Sequence, residues 1–174
     1  MKEIMRYGVT LAGICMVAAG LLAGAHSLAS SKIIAQAKAE EEANLKAVIP
    51  EAAHFDPVEA GGEIVYYKAL NARKELIGVA FLAQGKGYSS VIETMVGMDP
   101  EGKITAIKVI NQNETPGLGS RVAEAIFTSK FAQKNIEELS GVEAITGATI
   151  SSRAVSDSVK KKAEEVKRLI RDAQ

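Results

Sequence analysis

An α+β domain carried on one N-terminal transmembrane helix is the fold that this sequence predicts, and three observations predict it. A charge-free stretch runs from Tyr7 to Ser31. Four short apolar segments follow, joined in pairs by polar turns. The chain then closes on an apolar stripe at helical spacing. Together these call for a membrane helix, a twisted antiparallel sheet and helices that cover it. The 174 residues fit one such domain, since a domain takes roughly 100 to 200 residues.

The first element is the anchor. Its 25 uncharged residues reach ~38 Å as a helix, against a hydrocarbon core of ~30 Å. Lys2 and Arg6 precede it with only Glu3 against them, so the positive-inside rule keeps the N-terminus cytoplasmic and sends the rest outside. Ala23-Gly24-Ala25 also resembles a signal-peptidase site, but the full spanning length favours a retained anchor. Cys15 lies too early, behind an extra Ile14, for a lipoprotein and reads as a small apolar residue in the membrane. Gly13, Ala19, Gly20 and Gly24 suit close helix packing. Residues 1–31 are thus expected to form a cytoplasmic N-terminus and single-pass anchor in the cell (inner) membrane.

Residues 32–60 are expected to form a helical stalk and linker. Ile33 to Leu45 is rich in Ala, Glu and Lys, and Pro50 with the polar EAAHFDP stretch interrupts it. The domain proper is expected over 61–174. Glu63–Leu70 and Leu76–Leu82 flank Asn71–Lys74, and Val91–Met98 and Lys103–Ile110 flank Asp99-Pro100-Glu101-Gly102. Two hairpins follow from this pattern. In the last strand Ile104, Ala106 or Ile107, and Val109 face inward only approximately by period two. Ser120–Ala132 is expected to be a helix, with Ser120 as N-cap and Val122, Ala125, Ile126 and Phe127 on its apolar side. The final helix carries Val155, Val159, Ala163, Val166 and Ile170 on one face and Lys160, Lys161, Lys167, Arg168 and Arg171 on the other.

Composition removes several functions. Lys plus Arg and Asp plus Glu number 21 each, so no basic excess exists for nucleic acid. One cysteine and two histidines exclude disulfide scaffolds, zinc ribbons, Cys-ligated iron–sulfur clusters and a CxxCH haem site. No general-base dyad and no GxGxxG is present, so the chain should not oxidise a nicotinamide nucleotide by itself.

Two segments stand out. Glu114-Thr115-Pro116-Gly117-Leu118-Gly119 joins a strand to a helix, and its glycines let the main chain approach a flat ligand. Taken alone it also reads as a turn with a helix cap. Thr146-Gly147-Ala148-Thr149 opens the last helix. Small side chains and hydroxyls at a helix N-terminus make a phosphate seat, and taken alone they also read as an approach to an N-cap at Ser151 or Ser152.

With ETPGLG preceding TGAT by some thirty residues, an amphipathic helix after and an anchor before, the chain resembles the FMN-binding domain family. The likeness is strongest to its branch in Rnf-type electron-transport complexes, which is related to the C subunits of sodium-translocating NADH:quinone reductases. The resemblance implies FMN held covalently through a phosphoester to Thr149 by a separate flavin transferase. It implies that Thr146, Gly147 and Ala148 shape the phosphate seat. Glu114, Thr115, Pro116, Gly117, Leu118 and Gly119 would lie along the flavin. The family pattern has Asp three residues before the first hydroxyl residue; here Glu143 keeps the carboxylate one methylene longer. The implied role is electron transfer in a membrane complex coupling ferredoxin and NAD to Na⁺ or H⁺ movement, with the other subunits as partners. The chain would be part of a translocating oxidoreductase rather than a complete catalyst. Two alternatives are a stand-alone extracytoplasmic flavin reductase or shuttle, and a non-redox binding module.

Overall fold

The computed structural model describes residues 2–172; the outermost residues of the expected anchor and domain, Met1, Ala173 and Gln174, lie outside the described residues. Helix α1 runs from Lys2 to Val48, 47 residues without a break. Within it Ile4–His26 has a mean hydropathy of 2.0 and none of it is buried. At ~34 Å it is long and apolar enough to cross a membrane. Val9, Leu11, Ile14, Met16, Val17, Leu21 and Leu22 all stand exposed along it. The hydroxyl of Thr10 donates to the Arg6 carbonyl at 2.9 Å, which satisfies it inside the helix, as an apolar surround requires. Residues to Glu42 form one unit and those from Ala43 onward a second, compact one.

The second unit is built on five strands: β1 (His54–Ala60), β2 (Glu63–Leu70), β3 (Leu76–Lys86), β4 (Val91–Met98) and β5 (Ile104–Asn111). Each pairs antiparallel with the next, in the order β1-β2-β3-β4-β5. The two expected hairpins are β2–β3 and β4–β5. Their turns are closed by side chains: Asn71 Oδ1 accepts from the N–H groups of Arg73 and Glu75, and Asp99 Oδ1 from that of Lys103. Strand β1, by contrast, occupies sequence that reads as a polar interruption. Pro57 is tolerated there because β1 is an edge strand, where a missing N–H breaks no ladder on its outer side.

A register shift between Gly97 and Met98 against β5 inserts one extra residue at Thr105. The bulge puts Ile104 and Ile107 on the same face, with Val109 packed beside them. Thr105 uses its hydroxyl to donate to the Val48 carbonyl at 2.8 Å. Both sheet faces are covered. On one, Phe81, Ile92, Val96, Met98 and Ile104 meet Val155, Val159, Ala163 and Val166 of the final helix (Thr149–Asp172), together with Phe127, Phe131 and Leu139. On the other, Ala69, Ala80 and Met95 are covered by Leu45, Val48, Ile49 and Ala52.

The expected helix over Ser120–Ala132 is corrected. The segment is a 3-10 turn at Gly119–Ala123, a single α turn, α2, at Ala125–Thr128, and a second 3-10 turn at Ser129–Phe131. The final helix, Thr149–Asp172, is accordingly α3. Glu124, ahead of α2, is extended, with φ −75° and ψ 147°. A straight helix would put Val122 and Ile126 on one face. The break instead buries Val122, Phe127 and Phe131 and leaves Ile126 72% exposed. The two phenyl rings then meet edge to face at 5.3 Å, a favoured aromatic geometry. Ser120 is no cap; its Oγ accepts from the Gly117 N–H at 3.0 Å.

One buried hydroxyl in this core, Thr94 Oγ1, has no partner among the described residues. A buried unsatisfied hydroxyl costs about 1 to 3 kcal/mol, and an isosteric apolar group removes that cost. Thr94→Val is therefore expected to match or exceed wild-type stability. The urea midpoint checks this, and a variant less stable by more than ~1 kcal/mol contradicts it.

Candidate functional site

Helix α3 lies so close to the sheet that a Cβ on Gly85 would clash with the Ala154 carbonyl oxygen. Its N-terminus therefore reaches the end of the β3–β4 hairpin. The loop leaving β5 comes to the same place. A cleft of about 540 Å³ opens there, lined by Tyr88, Glu114, Thr115, Leu118, Gly119, Gly147, Ala148, Thr149, Ile150 and Ser151. Both segments singled out in the sequence thus line one cavity.

Their fit depends on two glycines. Gly147 has φ +81°, and a Cβ there would lie 3.4 Å from the Leu118 side chain, which puts the two segments against each other. Gly119 leaves no space at all: a Cβ would lie 2.7 Å from Ser151 Oγ and 2.9 Å from Glu114 Cβ. Neither position accepts a side chain without strain or movement.

Glu114 is the polar centre of the site. Only 6% of it is exposed. Its Oε1 accepts from the N–H groups of Ser89 and Ser90 at 3.0 and 2.9 Å, and from Ser90 Oγ at 3.3 Å. Its Oε2 accepts from the Tyr88 N–H at 3.1 Å and from Ser151 Oγ at 2.6 Å. Burial alone would raise its pKa, and is the largest single influence. The hydrogen bonds from Ser151, Ser90, Ser89 and Tyr88 together outweigh it and hold the carboxyl down at about 2. Glu114 therefore carries a full negative charge at neutral pH.

The first turn of α3 is laid out differently from an ordinary capped helix. Ala148 donates its N–H to Ile145 O, and Ser152 N–H returns to Ala148 O, each at 2.9 Å. Ser152 Oγ accepts from the Ile145 N–H at 3.0 Å, while Ser151 Oγ is taken by Glu114. Both serines are buried and engaged, and neither caps the helix. The first N–H groups of a helix have no acceptor within it and carry partial positive charge. Here they belong to Thr149, Ile150 and Ser151, all on the cleft wall. Thr149 itself is exposed.

Of the expected site residues, Glu114, Thr115, Leu118, Gly119, Gly147, Ala148 and Thr149 line the cleft. Pro116, Gly117 and Thr146 are exposed in the same loops, without lining it. Glu143 lies outside, 86% exposed in its side chain, with its carboxylate 3.1 Å from Lys130 Nζ. Sequence reasoning passed over Tyr88, Ile150 and Ser151 as cleft residues. The signal available was the Gly87-Tyr88-Ser89-Ser90 connection between two strands.

The cleft suits a flat apolar ligand with an anionic end. Its volume falls within the ~300 to 1,000 Å³ of small-molecule sites. Tyr88, Leu118 and Ile150 leave 72%, 48% and 56% of themselves exposed on or beside it, which offers apolar surface to a ring system. The N-terminus of a 24-residue helix and the Thr149 hydroxyl serve the anionic end. No histidine or lysine is among the described residues that line the cavity.

Residues 87–164 match the FMN-binding domain family, and residues 1–48 match the RnfG N-terminal region. The G subunit of the ion-translocating oxidoreductase complex of Methanosarcina acetivorans is 32% identical, over 91% of this chain and 92% of its own length. The G subunit of the proton-translocating ferredoxin:NAD(+) oxidoreductase complex of Clostridium ljungdahlii is 29% identical, over 87% of this chain and 85% of its own. Among solved structures, Shewanella oneidensis NqrC superposes with a TM-score of 0.50 at 20% identity, covering 65% of this chain and 66% of that one. The C subunit of the Na(+)-translocating NADH-quinone reductase of Parabacteroides distasonis gives 0.51 at 22% identity, covering 63% and 70%. At such identities the two structures share the fold.

Proposed function

The chain belongs to the RnfG family, the G subunits of ion-translocating oxidoreductase complexes, and from that premise we propose that it carries FMN, joined by a phosphoester to Thr149, as an extracytoplasmic electron carrier of a membrane complex. The observation that carries this reading is the convergence of ETPGLG and TGAT on one cleft, with an exposed threonine hydroxyl at the free end of α3. When bound, FMN supplies reversible uptake of electrons at its ring.

The protein's own residues do the rest. The first-turn N–H groups of α3 neutralise a phosphate at Thr149. Gly147 and Ala148 shape the turn that presents it, with Thr146 leading in. Tyr88, Leu118 and Ile150 cover apolar ring surface and exclude water from it. Thr115 and Gly119 form the opposite wall, with Pro116 and Gly117 in the loop that carries them. A covalent bond outside the cytoplasm prevents loss of the cofactor by dilution, which mass action could not restore there.

Residues 1–31 are the anchor in this reading, crossing the membrane with Lys2 and Arg6 on the cytoplasmic side. The partners are the other membrane subunits of an Rnf-type complex, and the modifying enzyme is a flavin transferase. The whole complex would couple ferredoxin and NAD to Na⁺ or H⁺ movement. Glu143, exposed and outside the cleft, is assigned to recognition by the transferase.

The test is co-expression of the full chain with and without a flavin transferase. With it, denatured protein should gain the mass of one FMN less one water and fluoresce after denaturing electrophoresis. An unchanged mass beside an active transferase overturns the proposal. Glu143→Ala should slow loading when the transferase is limiting while leaving stability within ~0.5 kcal/mol, because its exposed pair with Lys130 contributes little. Undiminished loading removes Glu143 from the recognition element.

A further inference from the structure

Glu114 is built into the cleft more elaborately than a wall residue requires. Three consecutive main-chain N–H groups and two hydroxyls converge on one carboxylate. Glycines stand where any side chain would displace it: a Cβ on Gly87 would lie 2.6 Å from Oε1, and one on Gly119 2.9 Å from Oε2. The group joins the β3–β4 loop, the loop after β5 and the first turn of α3 at a single point. It also lines the cavity, where no basic side chain among the described residues offsets it. All five donors are neutral, so they fix the charge in place without cancelling it.

We infer that Glu114 is a fixed negative charge that holds down the reduction potential of a flavin in this cleft. The inference rests on the proposed function. Reduction adds electron density to the ring, and a fixed anion beside it in a water-poor site makes that addition less favourable. The carboxylate neither gives nor takes a proton or an electron; it acts through its field alone. Its hydrogen bonds matter in two ways. They keep it ionised, and they prevent it from turning away as the ring gains charge.

The experiment is a redox titration of full-length, flavin-loaded protein in detergent, followed by flavin absorbance. Glu114→Gln keeps size and polarity and removes the charge. Its potential should rise by at least a tenfold change in the reduction equilibrium, about 30 mV for two electrons. Glu114→Asp retains the charge and should lie closer to wild type than Gln does. Ser151→Ala deletes the shortest donor, and with it a hydroxyl dipole that opposes the carboxylate's field, so it should shift the potential the opposite way. The opposed signs separate a field effect from loosening of the site, which would move both variants alike. Should Glu114→Gln fail to fold, the sign in Ser151→Ala decides the matter. Loaded Glu114→Gln protein with a wild-type or lower potential, or an unmoved or raised potential in Ser151→Ala, overturns the inference and leaves the flavin reading standing. Wild-type protein that takes up no flavin overturns both.

Discussion

Thr149→Ala is expected to abolish covalent flavin completely while the domain remains folded. The hydroxyl is the only atom of the side chain able to form the ester, and Thr149 is exposed at the start of α3, where truncation costs ~1 kcal/mol or less of stability. Neighbouring hydroxyls do not replace it. Ser151 and Ser152 are 2% and 1% exposed; the first donates to Glu114 and the second accepts from Ile145. Either would have to break a buried hydrogen bond and unwind the first turn of α3 to meet a phosphate. Thr146 does not line the cleft, so an ester there would not place its ring against Tyr88 and Leu118. Thr149→Ser should restore attachment, since it keeps the oxygen in the same place. Denaturing electrophoresis with in-gel fluorescence and the mass of the denatured chain read both variants. Covalent flavin on Thr149→Ala protein would relocate the attachment and remove the chemistry assigned to the head of α3.

How far such a site can be read in advance depends on the range of the contacts that make it. The anchor, the hairpins and the stripe of α3 are patterns of near neighbours along the chain. Charge-free length, turn residues such as Asn71 and Asp99, and Val155, Val159, Ala163 and Val166 at helical spacing all report locally. Strand β1 escapes because Pro57 and two acidic residues hide its alternation, although Phe55 and Val58 do go to opposite faces. Gly61-Gly62, with φ of +66° and +88°, was the available sign of a tight hairpin before β2. The segment at 120–132 misleads for another reason. Val122 and Ile126 have helical spacing, but burying Phe127 and Phe131 in the core forces the break at Glu124.

At the site, the two segments bearing Thr149 and Gly119 were legible as unusual composition. What Glu114 does was not, because its donors lie 24 to 26 residues before it and 37 after it. Only the assembled sheet and α3 bring them together. The same holds for Tyr88, which reads as a core or surface aromatic until the cleft forms around its loop.

That long-range tie makes the second large effect. Glu114→Ala is expected to destabilise the sheet unit by ~3 kcal/mol or more, as removing one side of a buried charged hydrogen-bond cluster leaves its partners unpaired. Tyr88, Ser89, Ser90 and Ser151 would each keep a donor facing an empty place. The loss should be localised, with the β3–β4 loop and the first turn of α3 exchanging amide hydrogens faster while the β1–β2 hairpin changes little. The pH dependence follows from the carboxyl's low pKa. It is about 2 in the folded protein against an ordinary 4.5, so the unfolded chain binds the proton first. The contribution of this group is then complete above about 4.5 and disappears as pH falls from there towards about 2. The gap in urea midpoint between wild type and Glu114→Ala, followed by tyrosine fluorescence, should be widest at neutral pH and close progressively below about 4.5. A gap that stays constant through that window would mean that the donors are held by the loop itself and that the carboxylate merely occupies a cradle the backbone makes without it.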